Sequence, residues 1–146
     1  MSYMTLDELG LAKLCVEKLM NTDRLILAGL GVAVELVECG RVVIAMKVSA
    51  AMVTSQNICH GGFLFTLADT ACAYVSASKN AAPVTTEANI SFIAPAMLND
   101  LVRAEARIEY TSERTIHSVV RVTKGDNQLV ALYKGTNLNR GKCIEE

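Results

Sequence analysis

The sequence predicts an α+β domain: an antiparallel sheet wrapped around one long apolar helix, with a further helix ahead of it. Three observations carry this. The stretch NICHGGFLFTLADTACAYVSAS, Asn57 to Ser78, has the length and composition of a buried helix. Arg103 to Tyr110 alternates strictly, with arginine and glutamate pointing one way and Ala104, Ala106, Ile108 and Tyr110 the other, which marks a strand with one wet and one dry face. The two strands flanking Cys39-Gly40-Arg41 are joined so closely that they must be antiparallel neighbours.

Taken in order, residues 4–20 read as an amphipathic helix. Thr5 with Glu8 has the spacing of a capping box. Leu11, Leu14, Cys15, Leu19 and Met20 share one face, and Lys13, Glu17 and Lys18 lie opposite. After Gly29-Leu30-Gly31 the period changes to two. Val32, Val34 and Leu36 alternate with Ala33, Glu35 and Val37, and VVIAMKV runs back from Val42 to Val48. The apolar helix spans Gly61 to Ser78 and ends at KNAAP. Four strands follow: Val84 to Ile93, with Thr86, Ala88, Ile90 and Phe92 on one face, then Arg103 to Tyr110, Thr115 to Thr123 and Leu129 to Asn137. TSER and KGDNQ are tight connections. The tail NRGKCIEE is polar and reads as loose. A dry sheet face must be covered, and Phe63 to Val75 is the one segment apolar enough to do it. The expectation is a single domain over 1–146 with its core at about 31–137.

Composition excludes several classes. The chain has 146 residues, 51% of them hydrophobic, enough to bury a core and too apolar for disorder. A formal charge of -1 lacks the basic excess of a nucleic-acid binder. No uninterrupted apolar run approaches the ~18 residues of a membrane span. The opening MSYMTLDELGLAKL has early acids and no basic stretch before an apolar core, so it does not read as a signal peptide. The five cysteines are odd in number and form no CxxC, which argues against a disulfide framework or a zinc site. Reduced thiols in the cytoplasm are expected.

Asp69 stands in the middle of the apolar helix, where a lone carboxylate is costly unless paired, protonated or at work. The helix opens with His60-Gly61-Gly62 and carries Leu67-Ala68-Asp69 two turns in. A further stretch, TTEANISFIAPAMLND, follows on the next strand. In this layout the sequence resembles the hotdog fold, and more specifically the phenylacetic-acid-degradation type (PaaI-like) acyl-CoA thioesterases. The resemblance covers about Gly31 to Asn137. It implies that the Gly61 N–H polarises a thioester carbonyl, that Asp69 is nucleophile or general base, and that Thr85 helps position water. It implies substrate contacts at His60, Gly62, Asn57 and Thr54, and neither metal nor organic cofactor. Many relatives carry asparagine six residues before the histidine. Here Thr54 stands there, and the nearest asparagine is Asn57.

The chemistry suits these residues. The first turn of a helix offers unpaired N–H groups and a positive dipole end, and paired glycines let a substrate approach the backbone. One N–H aimed at a developing oxyanion contributes about 3 kcal/mol. Gly61 and Asp69 are eight residues apart, hence about 12 Å along the helix axis. One carbonyl cannot easily touch both on a single helix. Two helices antiparallel across a two-fold axis would bring Gly61 of one chain to Asp69 of the other. The expectation is therefore an isologous dimer with two shared sites, alone or as half of a tetramer.

Plainer readings exist for each residue. Asp69 can be a buried structural carboxylate, His60 a cap or a brace for the substrate, and Gly61-Gly62 a tight helix entry. Cys59 beside His60 is a poor nucleophile candidate, because adjacent residues on an irregular segment rarely aim at each other. Two other functions use the same fold. A hydratase or dehydratase needs an acid/base pair, with His60 the nearest histidine. A non-catalytic acyl-CoA-binding module needs only the pocket.

Overall fold

Asp7 begins the first helix by accepting a 2.7 Å bond from the Gly10 N–H. In this computed structural model, which describes residues 6–145, helix α1 runs Glu8–Thr22. Thr5 and its expected capping box lie outside the described residues. Ala12, Cys15 and Val16 form the buried side of α1, while Leu14 is 39% exposed and leaves the face assigned to it. Asp23 then turns the chain into α2, Arg24–Leu30. This helix has no counterpart in the sequence reading, because RLILAGL carries one charge and no polar stripe.

Six strands form one sheet in the order β1-β2-β4-β5-β6-β3. They are β1 (Ala33–Glu38), β2 (Arg41–Lys47), β3 (Ala81–Phe92), β4 (Leu101–Thr111), β5 (Thr115–Lys124) and β6 (Gln128–Lys142). Every pairing is antiparallel. Helix α3, Gly61–Ala77, lies across β2 to β6. Its Leu67, Ala68, Ala71 and Val75 meet Val42, Ile44, Met46, Ala104, Ala106, Val120 and Val122 in the core. Each fully buried valine, leucine or isoleucine contributes roughly 1.5–3 kcal/mol, so this interface fixes where α3 sits. The wrapped-helix arrangement expected from the sequence is the one observed.

Register shifts correct the alternation in three strands. In β1 the shift between Val34 and Leu36 brings Val37, not Leu36, onto the core beside Val32 and Val34. In β3, Thr85 opposes Asn137 and Glu87 opposes Thr136, so Thr86 is an extra residue. Thr86 is exposed instead of facing the helix, and Thr85 turns inward together with Ala88 and Ile90. Phe92 also departs from its expected dry face, at 54% exposure. In β4 the register shifts between Ile108 and Tyr110, which leaves Tyr110 63% exposed. The tail is not loose either. Strand β6 continues to Lys142, Cys143 is buried, and Asn80 clamps Ile144 through both amide atoms at 2.8 and 3.0 Å.

Candidate active site

His60 ends an extended segment and caps α3. Its Nδ1 accepts the Gly62 N–H at 3.0 Å, and its carbonyl accepts the Phe63 N–H at 3.0 Å. That leaves the Gly61 N–H as the first-turn amide without a partner among the described residues. The ring of Phe92 lies against Gly61: a Cβ there would stand 2.7 Å from Phe92 Cζ. Gly61 and Phe92, with Ile58, Cys59, Leu64 and Pro95, line an apolar cleft of about 370 Å³. Thr54 and Asn57 form the turn just ahead, joined by a 2.9 Å bond from Asn57 N to Thr54 O. Asn57 adopts φ 60, and both residues are exposed.

Asp69 is half-buried on the sheet-facing side of α3. Thr85 Oγ1 donates to its Oδ1 at 2.8 Å, and the Tyr133 hydroxyl donates to the same oxygen at 2.6 Å. Thr66 and Thr70, its polar neighbours in sequence, take no part: each bonds the carbonyl one turn back. Behind Thr85 stands Asn137, fully buried, whose Nδ2 donates to Thr85 Oγ1 at 3.0 Å. Asn137 Oδ1 in turn accepts from Ser76 at 2.6 Å and from the Cys72 thiol at 3.4 Å. Burial first, then the Asp69 charge, pushes the Cys72 thiol up to about 12, so it is a neutral donor and no nucleophile. Burial also raises Cys59. Burial and the bond to Asp69 raise the Tyr133 phenol.

The structure joins Asp69 to Thr85 through a hydrogen bond. It sets Gly61, Gly62 and His60 two turns away at the helix start, with Thr54 and Asn57 beyond them. Tyr133, Asn137 and Ser76 are members of the Asp69 network that the sequence reading missed. A signal existed: Tyr133, Gly135 and Asn137 alternate on one face of β6, and that face meets α3. Among the described residues no three His, Cys, Asp or Glu side chains cluster as a metal site would need. No described helix is long and apolar enough to cross a membrane.

A six-stranded antiparallel sheet wrapped around one long central helix is the architecture of the hotdog class. Comparison with known proteins agrees. Residues 56–131 match the model of the thioesterase superfamily. The chain is 32% identical over 115 residues to acyl-coenzyme A thioesterase PaaI of Escherichia coli K12, spanning 79% of this chain and 82% of that protein. The fold superposes on the E. coli PaaI protein from the phenylacetic acid degradation operon with TM-score 0.90 at 28% identity, over 95% of this chain and 100% of that one. It also matches smu.793 of Streptococcus mutans UA159, solved bound to acetyl CoA, with TM-score 0.74 at 27% identity, over 76% and 90% of the two chains. The chain belongs to the thioesterase superfamily, among the PaaI-like acyl-CoA thioesterases.

Proposed function

We propose that this protein hydrolyses an acyl-CoA thioester to the free acid and coenzyme A, in a site completed by a second copy of the chain. The observation that carries the reading is the Asp69 carboxylate, held on one oxygen by Tyr133 and Thr85 in an otherwise apolar helix. Asp69 removes a proton from water as the water oxygen bonds to the carbonyl carbon, or attacks that carbon itself with water completing the hydrolysis. In both routes the carbonyl oxygen gains charge against the Gly61 N–H. The C–S bond then breaks, and the proton ends on the coenzyme A sulfur. Thr85 gives its one proton to Asp69, so it meets water through a free lone pair. His60, Gly62, Asn57 and Thr54 contact the substrate around the entrance beside Gly61.

The separation of about 12 Å between Gly61 and Asp69 along α3 supports a shared site. So does β3, a 12-residue strand at the sheet edge with β6 as its only neighbour among the described residues. An edge of that length is a template for a second chain. His60 accepts the Gly62 N–H through Nδ1, which suits a helix cap better than the acid/base group of a hydratase. The five free thiols fit a reducing, cytoplasmic setting.

The test is free-thiol release from a panel of aryl- and alkyl-acyl-CoAs, with wild type beside Asp69→Asn. Wild type should hydrolyse at least one substrate, and the folded variant should lose ~100-fold or more, the lower end of a general base's contribution. Equal rates, or no turnover by either protein, would overturn the reading.

A further inference from the structure

Tyr133 holds the Asp69 carboxylate yet takes no step in the hydrolysis. Tyr133 is fully buried, and its hydroxyl sits 2.6 Å from Asp69 Oδ1. Thr85 occupies the same oxygen at 2.8 Å. Asp69 Oδ2 accepts no bond among the described residues. We propose that Tyr133 is a positioning residue: together with Thr85 it pins Oδ1, so that Oδ2 is the oxygen that reacts. This rests on the hydrolase reading above.

Two hydroxyl bonds to one carboxylate oxygen are charge-assisted, and together they resist rotation that would exchange the two oxygens. They neutralise part of the charge on Oδ1. Oδ2 is left with the larger share of the charge and with no side-chain donor among the described residues. Neither donor is free to turn away. The Tyr133 ring packs edge-on against Phe65 at 5.5 Å between centroids. Its place depends on Gly135, where a Cβ would stand 2.7 Å from Tyr133 Cε1 and 2.9 Å from its hydroxyl. Thr85 is fixed from behind, since Asn137 fills one of its acceptor positions and directs its proton to Asp69. Raised by burial, the phenol stays protonated and stays a donor.

A buried tyrosine bonded to an aspartate can also be mere core chemistry, and the molecule contains such a pair. Tyr74, fully buried, donates to Asp23 Oδ2 at 3.1 Å at the α1–α2 junction. It serves as the internal control. Tyr133→Phe and Tyr74→Phe each keep the ring and delete one hydroxyl. Tyr133→Phe should lower kcat about tenfold or more, the worth of a hydrogen bond to a charged group, with KM within about twofold. Tyr74→Phe should leave both constants unchanged, though both variants melt earlier. If Tyr133→Phe does not fold, Thr85→Val removes the other donor from Oδ1 and must lower kcat in the same way.

A folded Tyr133→Phe with wild-type kcat, or equal losses in both tyrosine variants, overturns the assignment. So does Thr85→Val with intact kcat. If Asp69→Asn is inactive while Tyr133→Phe is unaffected, the positioning role fails and the hydrolase reading stands. If wild type turns over no thioester, both fail together.

Discussion

Two buried tyrosines in this molecule donate to aspartates, and the pairs differ in everything except chemistry. Tyr74 reaches Asp23, which joins two helices and faces α3 from outside. Tyr133 reaches Asp69 from the sheet, against the middle of α3. Asp23 receives one side-chain bond at 3.1 Å, whereas Asp69 receives two on one oxygen, backed by Asn137 and Ser76. A tyrosine–aspartate bond alone is therefore no sign of a site. Asymmetry around the carboxylate, and a second layer that enforces it, distinguish the two.

The largest expected difference lies in the acids. Asp69→Asn should remove ~100-fold or more of kcat, while Asp23→Asn leaves kcat unchanged in the same thiol-release assay. Equal losses would erase the distinction. The next effect separates the pairs by their support. Only Tyr133 leans on a glycine, and a Cβ at Gly135 would stand 2.7 Å from both Cys72 Sγ and Tyr133 Cε1. Gly135→Ala should cost about 1–3 kcal/mol by overpacking, read as a lowered urea midpoint, and should reduce kcat as Tyr133 is displaced. Unchanged stability would mean that the site yields where the account makes it rigid.

The smallest effect is one the pairs share. Burial, before any effect of the neighbouring carboxylate, raises both phenols in the folded protein. An unfolded phenol ionises near ~10. Because the folded value is the higher, the stabilisation is complete below that pH and is lost as pH rises beyond it. The urea midpoint of wild type should therefore fall from about pH 10 upward, and either Tyr→Phe variant should flatten that fall. An alkaline limb unchanged in both variants would contradict the burial of these hydroxyls.

The sequence made α3 legible because its apolar run is too long for a strand and opens on a glycine pair. Strand β4 was legible from strict alternation as far as Ile108, and β2 and β5 from the tight connections ahead of them. Helix α2 was hidden by its lack of a polar face. The end of β6 was hidden because NRGK reads as a polar tail, although backbone pairing with β3 orders it. In the site, Asp69 announced itself by the cost of a charge among apolar neighbours. Thr85 entered through resemblance alone, since alternation put Thr86 on the inner face. A bulge decides between them, and no residue pattern there predicts one. Tyr133 and Asn137 were missed because a tyrosine and an asparagine on a strand gain meaning only when the facing element is known.

Whether the site is shared between two chains is tested most directly by mixing inactive variants. Gly61→Pro deletes the proposed oxyanion N–H; proline suits a helix start, His60 before it already has the extended ψ of 134 that proline favours, and the added Cβ pushes aside the outer end of the exposed Phe92 ring. Alone it should lose roughly 10²–10³ in kcat. Unfolded and refolded together with Asp69→Asn, it should recover about one quarter of wild-type activity, because random pairing makes half the dimers mixed and each carries one whole site. Activity that stays at the level of the separate variants, although mixed dimers have formed, would place Gly61 and Asp69 in one chain's site and contradict the account.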